Sequence, residues 1–409
     1  MYKYLLKCLI LGWLCTLNLS GVVYAASPNL SWARWFQNQI QQHPEIIAAK
    51  EKMNAAFSTA EGRQNPLYNP ELETEFEREG DNDNYSVGLS QTIDWWDKRG
   101  TRAQQAGFSR TAARQAYKLM VQQKIAESLQ TLIEWQAANQ QSKLALQQET
   151  QMETLITLIN KRQSAGDLGQ VDAELALLSF SQKLNETAHA QVRLRQSEAQ
   201  LRELLLDWSP NQAEIPMAFW SLNIPRSTAR SIDEHPAVTA AKAEWEVIQK
   251  SAQLAQLESK AEPTFGINAG KTGDDNVVAL TFSMPLNVRN NFTAEVRAAN
   301  QEALSAEAQY RAIRRKQQFA IESSRATLGE FQQRFERLKT LMRGRGERSE
   351  NLLAKQWSSG DMSTTEYLLA LQQRTEGLVA GIELQTQFQL ARVNWLLQSG
   401  QLNTVLKQL

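Results

Sequence analysis

Thiols are nearly missing from this 409-residue sequence: its two cysteines, Cys8 and Cys15, both fall within the first 25 residues. Those residues have the form of a secretory signal peptide. Lys3 and Lys7 precede an apolar run from Leu9 to Val23, and small residues follow at Ala25 and Ala26. Cleavage is expected after Ala25, since the run is shorter than the roughly 20 residues of a membrane-spanning helix. Bulky Trp13 and Leu14 argue against a lipid anchor at Cys15. The exported remainder would hold no thiol, which excludes a disulfide framework and thiolate chemistry.

Other scarcities narrow the class further. Only three histidines occur, widely scattered, and no nucleophile, base and orienting acid share a recognisable spacing. No phosphate-cradling glycine loop is present either, so no enzyme, resident cofactor or metal centre is expected. Net charge is zero, from 44 basic and 44 acidic residues, which lacks the electrostatic footprint of a nucleic-acid binder. After the leader no apolar run approaches 18 residues, which excludes a helical membrane span but not a β-barrel, whose signal per strand is weak. With few glycines and prolines, and stretches of sixty residues dominated by Ala, Glu, Lys, Leu, Arg and Gln, the composition points to long helices and coiled coils.

What is present is present twice. His43-Pro44-Glu45-Ile46-Ile47-Ala48-Ala49-Lys50 returns 192 residues later as His235-Pro236-Ala237-Val238-Thr239-Ala240-Ala241-Lys242. Gly166-Asp167-Leu168 returns 194 residues later as Gly360-Asp361-Met362. Two distant landmarks with nearly one offset indicate an internal duplication. The first repeat spans 26–207 and the second 229–409, with a proline-marked linker at 208–228. Each half predicts a modest helix (about 30–62 and 229–260), two strands, a very long helix, a Gly-Asp break and a return helix. His43 and His235 fall at helix starts, where a structural role is expected, and His189 falls on a polar helix.

The strands are expected at about 70–79 and 84–94, then 263–271 and 276–286. Along the first, Leu72, Thr74 and Phe76 oppose Glu71, Glu73, Glu75 and Glu77; along the second, Tyr85, Val87, Leu89 and Ile93 oppose Ser86, Gly88, Ser90 and Thr92. The second repeat alternates in the same way, with Phe265, Ile267, Ala269, Val278, Leu280, Phe282 and Met284 on the apolar side. Such alternation over about 9–11 residues suits a tilted membrane strand, apolar toward lipid and polar toward water. It equally suits a soluble sheet packed on one face. Trp95 and Trp96 close the second strand where a membrane-interface girdle would lie. Four strands cannot close a barrel, and open edges in lipid are prohibitive. The membrane reading therefore requires a homotrimer with twelve strands.

Residues ~97–160 and ~290–356 lack proline and would each extend roughly 95–100 Å as helix. The second carries a 4-3 seam through Phe292, Val296, Ala299, Ala303, Ala306, Tyr310 and Ile313. Return helices are expected at ~170–206 and ~363–400. Ser363 and Glu366 form a capping-box pattern, whose counterparts in the first repeat are Gly169 and Asp172.

This order of elements resembles the TolC-type outer-membrane efflux family over essentially the whole exported chain. Short motifs are similar to its CzcC-like heavy-metal branch: Asn69-Pro70-Glu71-Leu72, Lys98-Arg99-Gly100, and Met284-Pro285-Leu286-Asn287-Val288-Arg289-Asn290. Asp94-Trp95-Trp96-Asp97 departs from the glycines usual after the second strand, and Val288-Arg289-Asn290-Asn291-Phe292 departs from the usual Asn-Arg-Asn-Gln-Gly. The resemblance implies a mainly α protein with a small β part, trimerising as a 12-stranded transmembrane barrel continued by a periplasmic helical barrel. It also implies passive export of heavy-metal cations through the outer membrane, with a periplasmic adaptor and a proton-driven inner-membrane transporter as partners. Gly166, Asp167, Gly360 and Asp361 would be the tips that meet the adaptor, and the four strand glutamates would face the lumen. Drug or protein export by the same family, and a soluble periplasmic coiled-coil scaffold, remain as alternatives.

Overall fold

The computed structural model of the chain describes residues 28–212, 214–221, 232–342 and 346–409; the expected signal peptide and part of the linker lie outside them. The single helix expected at the start of the first repeat is two, α1 (Pro28–Gln42) and α2 (Pro44–Gly62). The break is His43, whose backbone is extended and whose Nδ1 accepts the Glu45 amide at 3.2 Å. Pro44 then costs nothing in the first turn, where its missing N–H has no helical partner. His235 repeats this cap on the Ala237 amide at 3.2 Å and opens α6 (Pro236–Glu258). Both imidazoles are buried, while His189 is exposed.

The strands are β1 (Glu71–Glu79), β2 (Asn82–Thr92), β3 (Thr264–Thr272) and β4 (Asp275–Ser283). They form one antiparallel sheet in the order β1-β2-β3-β4, so each repeat supplies a hairpin and the two hairpins join through β2 and β3. The first repeat continues into α3 (Lys98–Ser164), 67 residues or about 100 Å long, and α4 (Gln170–Leu204). Short α5 (Met217–Ser221) follows in the linker. The second repeat continues into α7 (Thr293–Met342), α8 (Gly346–Ser358), α9 (Thr364–Gln398) and terminal α10 (Leu402–Leu406). No described helix is long and apolar enough to cross a membrane.

The helices pack lengthwise beneath the sheet, α3 against α4 and α6, and α7 against α6 and α9. The apolar seam of α7 therefore leans on α6 as well as on its return helix. Tyr310 stacks on Trp245 of α6 with ring centroids 5.6 Å apart, and Ala306 is buried. Two apolar cores hold the column. The larger gathers Phe36 of α1, Leu129, Leu132 and Ile133 from the middle of α3, Leu201 of α4, Phe219 of α5 and Leu396 and Leu402 near the C-terminus. The smaller lies at the far tip, around Met152, Ile159, Ala176, Trp357 and Leu368.

Candidate functional site

Cross-strand pairing settles which side chains share a face of the sheet. Glu71, Glu73 and Glu75 lie opposite Ser90, Gly88 and Ser86, and these in turn lie opposite Gly266, Asn268 and Gly270. Glu77 lies opposite Asn84. The four glutamates thus stand on one polar face, and Glu73 accepts the Ser90 hydroxyl at 2.6 Å. This face is crowded: a Cβ at Gly88 would collide with the Asn268 carboxamide, and one at Gly270 with the backbone of Tyr85 and Ser86. Glycine is required here by close approach, as on the concave side of a curling sheet.

The opposite face carries Leu72, Phe76, Tyr85, Val87, Leu89, Phe265, Ile267, Val278, Leu280 and Phe282, all exposed, with Leu280 84 % accessible. β1 and β4 each pair on one side only. The sheet thus has a bare apolar face and two open edges, a combination that a water-soluble monomer would expose to self-association.

At the foot of the sheet the Asp94-Trp95-Trp96-Asp97 segment starts the longest helix. Asp94 accepts the Lys98 and Arg99 amides, both at 2.8 Å, and Asp97 accepts the Gly100 amide at 3.1 Å. These carboxylates occupy N–H groups that a helix start leaves unpaired, and they oppose its positive dipole end. Asp97 sits in the left-handed region at φ 56°, as does Phe292 195 residues later, each directly before a long helix. The duplication therefore extends to a backbone conformation. Trp95 is exposed; Trp96 donates from Nε1 to the Ala261 carbonyl at 2.9 Å, and Lys260 Nζ stands 4.4 Å from its ring centre.

Each residue of the Lys98-Arg99-Gly100 motif has a task. Lys98 pairs with Glu262 at 3.3 Å, with both side chains at least nine-tenths buried, and Glu262 also accepts the Tyr68 hydroxyl. Burial, then the hydrogen bond to Glu262, pushes the Tyr68 phenol up to about 12. Arg99 Nε donates to the Gln64 carbonyl at 3.0 Å, and a Cβ at Gly100 would strike the Asp97 carboxylate. Sequence reasoning missed this knot because Tyr68 and Glu262 come from different repeats.

The two Gly-Asp landmarks turn the chain at the opposite end of the column. Gly166 (φ 82°) and Gly360 (φ 83°) are left-handed, and the Asp167 and Asp361 amides reach back to the Arg162 and Gln356 carbonyls at 2.9 and 3.0 Å. Both are Schellman closures. Ser363 and Glu366 form the expected capping box, whereas Gly169 caps without a side chain. Asp172 accepts the Thr365 hydroxyl at 3.0 Å, joining the tips of the two repeats. Trp357 was not anticipated. It stacks on Tyr367 at 5.0 Å, takes the Arg162 guanidinium over its ring at 4.9 Å, and donates to Thr364. A lone tryptophan in a polar helix is the only sequence signal for it. Among the described residues, no group of three His, Cys, Asp or Glu is placed to hold a metal ion.

Residues 35–205 match the profile of the family described as outer membrane efflux protein. No curated protein matches the chain in sequence. Solved structures match its shape. A membrane protein from Pseudomonas aeruginosa has a TM-score of 0.75 at 17 % identity, over 90 % of this chain and 94 % of that one. The Campylobacter jejuni CmeC outer membrane channel scores 0.74 at 12 % identity, over 90 % and 85 %. The Neisseria gonorrhoeae MtrE outer membrane channel, in its open state, scores 0.71 at 12 % identity, over 90 % and 88 %. The first repeat is therefore similar to the outer membrane efflux proteins, and nine-tenths of the chain shares the fold of these solved structures.

Proposed function

We propose that the chain is one protomer of a trimeric exit duct in the outer membrane, the last component of a tripartite efflux pump. The observation that carries this reading is the four-stranded sheet with its apolar face bare and both edges open. Three copies joined edge to edge give twelve strands, enough to close a barrel with lipid outside and the glutamates inside. Trp95 and Trp96 then lie at the periplasmic membrane surface, and the helices continue the duct into the periplasm. The tips at Gly166, Asp167, Gly360 and Asp361 meet the periplasmic adaptor, and a proton-driven inner-membrane transporter supplies the cargo. The duct does no chemistry and moves cargo passively.

The cargo in this reading is a heavy-metal cation. Glu71, Glu73, Glu75 and Glu77 from three protomers place twelve carboxylates on the barrel wall, and rings of carboxylates favour cations in a pore. Cell fractionation tests the architecture: the protein is expected in the outer-membrane fraction and as a detergent-stable trimer, and recovery as a water-soluble monomer overturns it. Deletion of the gene tests the cargo. Increased sensitivity to divalent heavy metals is expected; sensitivity to drugs alone points to drug export by the same architecture.

A further inference from the structure

We infer that the middle of the helical column carries a glycan-binding cleft, and that its ligand is a polymer of N-acetylated sugars. The location of that ligand rests on the outer-membrane reading; the chemistry of the cleft does not. Helices α1, α3, α4 and α9 and the linker leave a cleft of about 1150 Å³ among them. Most small-molecule pockets occupy about 300–1,000 Å³, so this one suits a run of several rings.

Four tryptophans line it, Trp32, Trp35, Trp135 and Trp220. Three of them are braced by aromatic neighbours: Trp32 stacks on Phe36 at 5.1 Å, Trp135 meets Trp208 edge-on at 5.3 Å, and Trp220 meets Phe219 edge-on at 4.9 Å. Trp35 and Trp220 are half-buried and offer ring surface to the C–H faces of pyranose rings, with little ordering cost on binding, whereas Trp32 and Trp135 are buried in the central core, Trp32 against Trp35 at 6.4 Å. The polar part of the lining is six Asn or Gln side chains against two glutamates and one lysine. Carboxamides both donate and accept, which matches hydroxyl and acetamido groups, whereas an ionic ligand would call for opposing charge. Trp135 lies 37 residues into α3, about 55 Å from the sheet along the helix axis. In an outer-membrane protein that depth is periplasmic, where cell-wall strands are the abundant N-acetylated polymer. Such a contact would tether the duct to the wall.

The test uses the exported protein, purified in detergent, with the hexamer of N-acetylglucosamine as probe, followed by calorimetry and tryptophan fluorescence. Saturable binding is expected, weakened at least tenfold in the double variant N139A/Q389A. Both positions are half-buried on helices, and the variant's thermal midpoint and trimer content are measured alongside. Maltohexaose, which lacks acetamido groups, is expected to bind at least tenfold more weakly; equal binding overturns the assignment of the sugar. An intact trimer that gives no saturable signal overturns the cleft, as would follow if a neighbouring protomer covered it. Binding unchanged in the double variant overturns it too. Trimer content and membrane recovery in the same preparations report on the duct independently.

Discussion

Single residues at the two ends of the column do disproportionate work, and each makes a measurable difference. Lys98 and Glu262 are each at least nine-tenths buried, so removing one charge strands the other. Lys98→Met is expected to lower stability by about 3–5 kcal/mol, and adding Glu262→Met to recover most of it. Thermal unfolding of the two purified variants checks this. At the tips, Gly360 holds φ 83°, a region that costs an alanine about 1–2 kcal/mol. Gly360→Ala should therefore loosen the start of α9, seen as faster amide exchange there. The same segment is expected to respond to acid. The Ser363 backbone amide, and then its hydroxyl, hold the Glu366 carboxyl below its ordinary 4.5. A lowered folded value means the stabilisation is complete above about pH 4.5 and fades as pH falls through it. Protection of the first turn of α9 should drop on acidification in the parent protein and far less in Glu366→Gln.

Elements were legible where their pattern is local. Strict alternation found all four strands to within three residues, and the Gly-Asp landmarks found both helix reversals. Pro44 was legible as a first-turn residue, but not as the end of α1, because the apolar pattern runs through His43 without interruption. The partner of the α7 seam was not legible either: periodicity shows that a face is buried, not that Trp245 of α6 covers it. Alternation also could not say what the apolar face of the sheet touches. The pairing register sharpens that question, because Leu280 and Ala279 are adjacent yet face opposite ways. Leu280→Arg places a charge on the proposed lipid face, at a cost of about 2–4 kcal/mol near mid-membrane. It is expected to abolish the detergent-stable trimer, whereas Ala279→Ser leaves it intact; gel filtration in detergent separates the two.

At the scale of the whole molecule, the two repeats are bound to each other along the length of the column: through β2 and β3, through α3 on α6 with the Lys98–Glu262 pair, through the central core, and through the Trp357 cluster at the tips. The last is the smallest and the easiest to open. Trp357→Ala removes the stack on Tyr367 and the seat of Arg162 together. For a duct whose aperture lies at the tips, single-channel conductance in a planar bilayer is expected to rise in this variant, with the sheet unaffected.

The sequence by itself determined the duplication, the classes of element and their order, and the two-sided strands, because each of these is written in spacing between near neighbours along the chain. Only the tertiary structure decided which residues from different repeats meet: Tyr68 with Glu262, Asp172 with Thr365, Arg162 with Trp357. Those pairs are separated by about 190 residues, and no local period carries information over that distance. It is the packing of one repeat on the other, driven by the burial of apolar faces, that brings them together.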